Sequence, residues 1–209
     1  MAGTSIKNAN LTRVGMDEVD LTGADLTGAN LSSAQLKNAN MTGADLTNAN
    51  LDQARVQGAN LRGALLAGVD LTLANLTDTK VSIGTARLAV DVQRALREHA
   101  LWIDSNGGEG ARADLSGHNL SREDLRNVYL SGANMKDCDL SGSDLSDSML
   151  ELVDFANANL EGVNFRRSVM RGASLKGAKM KACILTYADL SPIELTGPSG
   201  EKSGQIRKT

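Results

Sequence analysis

The chain has 209 residues, of which 41% are hydrophobic but only 2% are aromatic. Because large rings usually supply much of a globular core, this composition excludes a core built on aromatic packing and predicts one of small and medium aliphatic side chains. The formal net charge of -3 excludes the global basic excess of a nucleic-acid-binding protein. The two cysteines are too few for a disulfide framework or a zinc site.

The sequence also lacks the long apolar runs that membrane insertion requires. No stretch approaches about 18 consecutive apolar residues. The first residues contain no apolar run of the kind found in a signal peptide. We therefore expect a cytoplasmic protein with no membrane partner.

A five-residue repeat occupies the first part of the chain. From Ile6 to Val81 every fifth residue is apolar, which gives 16 centres in a row. The residue two before a centre is usually small and most often Ala, the residue one before is usually Asp or Asn, and the residue two after is often Gly. Neither a helix nor a flat strand brings every fifth residue to one face. A square coil does, if the centres, such as Leu26 and Leu46, point inward together with the small residues.

The repeat is interrupted between Val81 and Leu115. Apolar residues at helical spacing predict an α-helix over about 86–104 with Thr85 as its N-cap, followed by a glycine-rich loop. One interpretation is that this insertion caps an exposed coil end or separates two sets of coils. The alternative is a helix that recruits a partner.

The repeat resumes at Leu115 in a shifted phase and continues to Leu195. Its centres include Leu140, Phe155 and Phe165, so both phenylalanines of the chain are predicted to be core residues. The final residues are rich in Gly, Ser and charge, which is typical of a flexible end. The expected organisation is a segment of about four square coils over 1–84, an inserted helix and loop over 85–112, a second segment of about four square coils over 113–195, and a flexible tail over 196–209.

The repeats resemble those of a known family. Segments such as Ala24-Asp25-Leu26-Thr27-Gly28 are similar to the A-(D/N)-L-x-x motif of the pentapeptide repeat family, and the resemblance covers roughly residues 4–84 and 113–195. It implies an all-β fold, a right-handed quadrilateral parallel β-helix (a solenoid) with four repeats per coil. Here the solenoid is expected in two segments separated by the inserted α-helix.

A coil of 20 residues places residue n beneath residue n+20 at the strand spacing of about 4.8 Å. Asn10, Asn30 and Asn50 then form a column that continues to Asp70, and such side chains suit repeated corners because they bond to nearby backbone. The same arithmetic predicts three charge pairs between adjacent coils. They are Asp17 with Lys37, Glu151 with Arg171, and Glu161 with Lys181.

No arrangement of residues predicts a catalytic, cofactor or metal site, and we expect no enzyme activity. The glycines of Gly107–Gly110 follow a helix instead of opening one, so a phosphate loop is not predicted. His118 and Glu123 take normally small inward positions; an acid–base pair is one interpretation, and an irregular end coil is the more ordinary one. Cys138 and Cys183 also take small inward positions and are predicted to be core residues.

Charge is unevenly distributed along the second segment. Residues 114–164 carry ten acidic and three basic side chains, whereas residues 165–181 carry six basic and no acidic ones. Ordinary solvated surface is one interpretation, and a charged docking surface is the other. The candidate partner surface comprises Asp137, Asp144, Asp147, Arg166, Arg167, Arg171 and Lys176, with Trp102, the only tryptophan, as a further candidate that is otherwise a packing residue.

The sequence favours a non-enzymatic scaffold or binding module for a protein partner that it does not identify. The resemblance implies an alternative, because some pentapeptide repeat proteins mimic duplex DNA and bind or inhibit DNA gyrase and related topoisomerases. The basic stretch over residues 165–181 and the modest net charge of the chain disfavour such mimicry. Direct binding of nucleic acid is not expected, and a dimer through the β-helix ends is compatible with the repeat.

Overall fold

The computed structural model describes residues 1–196 and 202–209. The chain divides into two compact units, Met1–Ala111 and Arg112–Thr209. The elements outside the coils are a 3-10 helix at Ile83–Arg87, an α-helix, α1, at Val90–Asp104, and two strands, β1 at Ile193–Thr196 and β2 at Lys202–Arg207.

In the first unit, parallel bridges join residues that are 20 positions apart, as between Asp25 and Asp45. On the regular coils the backbone N–H of a centre donates to the next rung, and Leu26 N lies 2.8 Å from Asp45 O. Four five-residue repeats therefore complete one coil. Ala24, Leu26 and Leu46 are fully buried, so centres and small residues fill the interior while the other positions face out.

Each corner of the coil is held by a side chain and by the backbone. The Asp or Asn before a centre accepts a hydrogen bond from the N–H two residues on, as Asp20 Oδ1 does from Thr22 N at 3.0 Å. The residue two after the centre has a positive φ, which is +63° at Gly23. Because this left-handed backbone costs a side-chain-bearing residue about 1–2 kcal/mol, Gly recurs at the corner, which explains its abundance in the sequence.

The ladder of the first unit is incomplete on its last coil. Asn10, Asn30 and Asn50 are bridged in sequence as predicted, but no bridge within residues 1–111 joins Asn50 to Asp70. The corner position that follows is Leu73, which is not in the left-handed region and is 65% exposed. The predicted column therefore ends one rung early, and a cleft of about 420 Å³ opens between these rungs.

Helix α1 begins later than predicted and lies along the side of the coils. Thr85 is part of the 3-10 helix, and the N-cap of α1 is Ala89. Arg97 Nε donates to Gly43 O at 2.7 Å, and the buried side chain of Leu101 lies against the corner at Gly43. The helix therefore packs on the flank of the first unit and does not close its last coil as a cap.

The second unit repeats the coil with a different interior. Leu140, Phe155 and Phe165 are fully buried, and the two phenyl rings meet edge to face with centroids 6.0 Å apart. Small polar residues take some inward positions, where each hydroxyl bonds to backbone. The Ser143 hydroxyl, for example, donates to Leu140 O at 2.6 Å, so the buried oxygen is satisfied.

The end of the second unit differs from the predicted flexible tail. Residues 197–201 lie outside the described residues. On either side of them, β1 and β2 pair as an antiparallel ladder in which Ile193 lies opposite Arg207. Backbone pairing therefore orders the described part of this segment, which the composition alone did not indicate.

Candidate interaction surfaces

The outward residues of the second unit fall into four columns, one on each side of the coil. Within a column, each residue is bridged to the next rung, so the side chains stand at fixed spacing. Face 1 contains Asp114, Asn134, Asp154 and Ser174; face 2 contains Asn119, Asp139, Asn159 and Lys179; face 3 contains Asp124, Asp144, Asn164 and Ile184; face 4 contains Tyr129, Met149, Val169 and Asp189.

Asp144 on face 3 has a structural role at its corner. Its Oδ1 accepts hydrogen bonds from Ser146 N at 2.9 Å and from Asn164 Nδ2 at 3.0 Å. Asp139 on face 2 makes the same two bonds, to Ser141 N and Asn159 Nδ2. The N–H of Ser141 is the largest of the causes that lower the pKa of Asp139. These carboxylates hold the coil, which leaves them fewer free lone pairs for a partner.

Two predicted surface arginines are engaged in pairs between adjacent rungs. Arg167 Nε and Nη2 donate to the two carboxylate oxygens of Asp147, at 2.5 and 2.6 Å. This fork lowers the pKa of Asp147. Arg171 Nε donates to Glu151 Oε1 at 2.7 Å and lies 3.9 Å from Asp189.

The three charge pairs predicted from the 20-residue spacing have different outcomes. Glu151 and Arg171 form the predicted ion pair. Asp17 instead accepts the backbone N–H of Lys37 at 2.9 Å. Within the described ranges of the second unit, no ion pair joins Glu161 to Lys181. The spacing therefore identifies neighbours but does not determine which atoms bond.

The remaining charged candidates are exposed. Asp137 and Lys176 follow the column of face 1, and Arg166 follows that of face 3. None of the three side chains forms an ion pair with a residue in the described part of the chain. The seven charged candidates thus lie on three faces, and the structure does not bring them together as one surface.

Trp102 lies on α1 in the first unit and is half-buried. Its ring stacks on His99, with centroids 5.6 Å apart and an angle of 19° between the planes. His99 is fully buried. The loop after the helix folds back on it, and Ala111 N donates to Glu98 O at 3.1 Å. Trp102 therefore has packing contacts on its own helix.

The surface of the coil on which α1 packs was not predicted from the sequence. Gly23, Gly43 and Gly63 stand one above another at the same corner, because they are 20 residues apart. A Cβ at Gly63 would lie 2.5 Å from Ala100 Cβ, and one at Gly43 would lie 2.7 Å from Leu101 Cγ. The column of glycines is the groove that admits the helix. The 20-residue spacing of these glycines is the sequence feature from which the groove could have been predicted.

The other residues considered for chemistry are placed as follows. His118 and Glu123 are half-buried, and the His118 ring nitrogen Nδ1 lies 3.2 Å from Ser116 O. Burial raises the pKa of the Cys138 thiol to about 11, and this thiol donates to Leu115 O. Cys183 is only partly buried. Among the described residues, no group of three or more His, Cys, Asp or Glu could hold a metal ion.

No helix in the described ranges is long and apolar enough to cross a membrane.

Together, the five-residue repeats and the 20-residue parallel bridges define a four-sided β-solenoid. The sequence profile described as pentapeptide repeats matches in eight copies, over residues 4–43, 44–82, 111–147 and 150–191. The chain belongs to the pentapeptide repeat family. Members of this family form right-handed quadrilateral β-helices and are generally structural or binding modules.

Several solved structures are similar to the chain. A pentapeptide repeat protein from Nostoc PCC 7120, alr5209, is 44% identical over 37% of this chain and 64% of its own, with a TM-score of 0.37. HetL from Nostoc sp. strain PCC 7120, involved in heterocyst differentiation regulation, is 22% identical over 95% of this chain and 89% of its own, with a TM-score of 0.24. QnrB1, a plasmid-mediated fluoroquinolone resistance protein, is 16% identical over 87% of this chain and 84% of its own, with a TM-score of 0.32. The match with alr5209 thus spans less than two thirds of that protein. No curated protein matches the chain.

Proposed function

We propose that the protein is a non-enzymatic scaffold that binds a protein partner on the outer faces of its coils. The observation that supports this is the regular backbone ladder. In the second unit, Leu140 N donates to Asn159 O and Gly142 N to Glu161 O, both at 2.8 Å, and equivalent bonds recur on successive rungs. A surface held in this way loses little conformational entropy on binding, which favours association with a partner.

The state of the reactive side chains also supports a binding role. The corner carboxylates accept hydrogen bonds within the coil, and the raised pKa of the Cys138 thiol makes it a poor nucleophile at neutral pH. We place the protein in the cytoplasm, without a cofactor and without a nucleic-acid or membrane partner.

The open coil ends are where a dimer would form. Sedimentation velocity of the full chain measures whether it is a monomer or a dimer.

DNA mimicry directed at gyrase is the alternative, and the charge pairing disfavours it. Of the ten acidic side chains in residues 114–164, four are neutralised by a cation. These are Asp124 by Arg126, Asp147 by Arg167, Glu151 by Arg171, and Asp154 by Lys136. A mimic of duplex DNA presents a continuous negative surface. Ion pairs on four of ten carboxylates interrupt such a surface and make this one less similar to DNA.

The test has two parts, both with the full chain. In a gyrase supercoiling assay at micromolar protein we expect no inhibition, and inhibition would favour mimicry over the scaffold. In affinity capture we expect a protein that binds the purified chain at defined stoichiometry and is displaced by untagged chain. If no captured protein binds the purified chain, the scaffold proposal is wrong.

The contribution of α1 is tested by point variants, because deleting residues 85–112 would uncover the glycine groove. Arg94 is exposed and Trp102 is half-buried. If the helix recruits the partner, Arg94→Glu weakens capture at least tenfold without changing the thermal unfolding midpoint by more than a few degrees. Trp102→Ala, which also removes the stack on His99, then weakens capture at temperatures where the variant is still fully folded. If the helix only packs on the coil, capture is unchanged.

A further inference from the structure

The last rung of the second unit has an open backbone edge. One rung below, the N–H groups of Leu160, Gly162, Phe165 and Arg167 donate to carbonyls of the last rung, at 2.8 to 3.0 Å. The equivalent N–H groups on the last rung have no backbone acceptor in the described part of the chain. They belong to Met180, Ala182, Leu185 and Tyr187. Such an edge is a template for another strand.

This edge is apolar where it faces the end of the coil. Phe165 is fully buried, whereas Leu185, at the same position one rung later, is 38% exposed. Ile184 and Tyr187 beside it are 48% and 79% exposed. The last rung therefore leaves partly uncovered the centre Leu185, a position that the earlier rungs bury, and the outward side chains of Ile184 and Tyr187 add apolar surface beside it.

Two cations border the same edge. Lys179 and Lys181 flank the centre Met180, and both are exposed. Neither forms an ion pair with a carboxylate among the described residues, although Glu161 lies one rung beneath Lys181. We call residues 178–187, with these two lysines, the lysine-bordered end.

The geometry points to an extended segment of a protein partner, added as a strand to the side of the lysine-bordered end that carries Lys179, Met180 and Lys181. Because successive side chains of a strand alternate in direction, the partner residue above Met180 points inward and is apolar. The residues above Lys179 and Lys181 point outward and are acidic. The segment thus alternates acidic and apolar side chains. This inference rests on the proposed binding function and specifies the chemistry of its partner.

Charge argues against a second copy of this chain as the occupant. Two copies meeting at this end would place four lysines, Lys179 and Lys181 of each copy, at one interface, and residues 172–191 supply no carboxylate other than Asp189. The Oδ1 of Asp189 already accepts the N–H of Ser191 at 2.9 Å. Like charges at an interface oppose association, whereas an acidic strand relieves the repulsion between Lys179 and Lys181.

The test is fluorescence anisotropy of the full chain with a labelled peptide of about eight alternating Glu and Leu residues, an ordinary strand length. We expect saturable binding that weakens with added salt. Lys179→Glu with Lys181→Glu should weaken it at least tenfold and transfer the preference to a matched Lys–Leu peptide. The control, Lys37→Glu with Lys80→Glu in the first unit, makes the same change in net charge and should bind as the unmodified chain does.

Strand addition is tested separately by a Glu–Leu peptide whose alternate amides are N-methylated, since the methyl groups leave its charge unchanged but keep its backbone from approaching an edge strand closely enough to pair. Loss of binding supports the proposal; retained binding overturns it. A chain dimer that the Lys179→Glu, Lys181→Glu variant dissociates would also overturn it, because a second copy would then occupy this end. If a partner captured by the full chain binds this variant equally well, the strand proposal fails while the scaffold function stands.

Discussion

The packing of α1 on the glycine column makes a quantitative prediction at Gly63. The φ of Gly63 is +65°, and a methyl group there would lie 2.5 Å from Ala100 Cβ, 3.0 Å from Leu96 O and 3.1 Å from Arg97 Cα. Two of these atoms are helix backbone, so no side-chain rotation relieves the overlap. Gly63→Ala therefore requires the helix to move outward by about an ångström, at an overpacking cost of about 1–3 kcal/mol.

Gly23→Ala is the matched control. Its φ is +63°, so it carries the same left-handed strain of about 1–2 kcal/mol. Its nearest neighbour would be Leu101 Cδ2 at 3.8 Å, an ordinary contact. The difference between the two variants in the free energy of unfolding thus isolates the helix contact and should be about 1–3 kcal/mol.

Urea-induced unfolding followed by circular dichroism measures this difference, and hydrogen exchange locates it. Burial of Leu96 and Leu101 contributes roughly 1.5–3 kcal/mol each, which exceeds the strain, so we expect α1 to remain docked with faster exchange over 90–104. If Gly63→Ala and Gly23→Ala are equally stable and exchange in α1 is unchanged, the helix does not rest on the glycine column.

Three further predictions concern the core, the thiols and the corners. Leu46→Lys places an ammonium group at a fully buried centre and should abolish cooperative thermal unfolding of the first unit, whereas Thr47→Lys, on the half-buried outer position, should leave it intact. Because burial raises the pKa of Cys138 to about 11, its thiol should resist a disulfide reagent at pH 8 until the protein unfolds, while the partly buried Cys183 reacts first. Hydrogen bonds lower the pKa of Asp139 in the folded state, so its stabilisation is complete above the ordinary Asp value of about 3.9 and is lost as the pH falls through the lowered folded value. Asp139→Asn should therefore flatten the pH dependence of urea unfolding at acidic pH, and an unchanged slope would assign the acid sensitivity to other groups.

The coil itself could be predicted from sequence because each of its requirements recurs every five residues. Leu26 and Phe155 are inward for the same reason, namely that each is followed by a corner whose backbone turns the chain. The ion pair of Glu151 with Arg171 could be predicted because both lie at the same corner position on adjacent rungs. A repeat supplies many independent copies of the same local signal, so one irregular unit does not alter the prediction.

The position of α1 could not be predicted in this way. Its contacts join Arg97 to Gly43 and Asp104 to Asn40, which are about 60 residues apart in the sequence. The glycines of the groove also satisfy the corner conformation, so their local context gives no sign of a second role. The missing bridge at Asp70 is similar, because it is accompanied by one irregular corner, at Leu73, against a background of regular ones.

The corner glycines show how a uniform repeat can encode one specific contact. At Gly28 and Gly68, the space that a Cβ would occupy is taken by the amide of Asn8 or Asn48 from the rung below. Side chains of the coil itself thus close that column. The column of Gly23, Gly43 and Gly63 has no such amide beneath it, and α1 fills the space instead. The same reasoning applies to the lysine-bordered end, where a rung without a successor leaves its donors and apolar surface open. In this fold, binding should therefore be sought where a column lacks the side chain or the rung that would otherwise cover it.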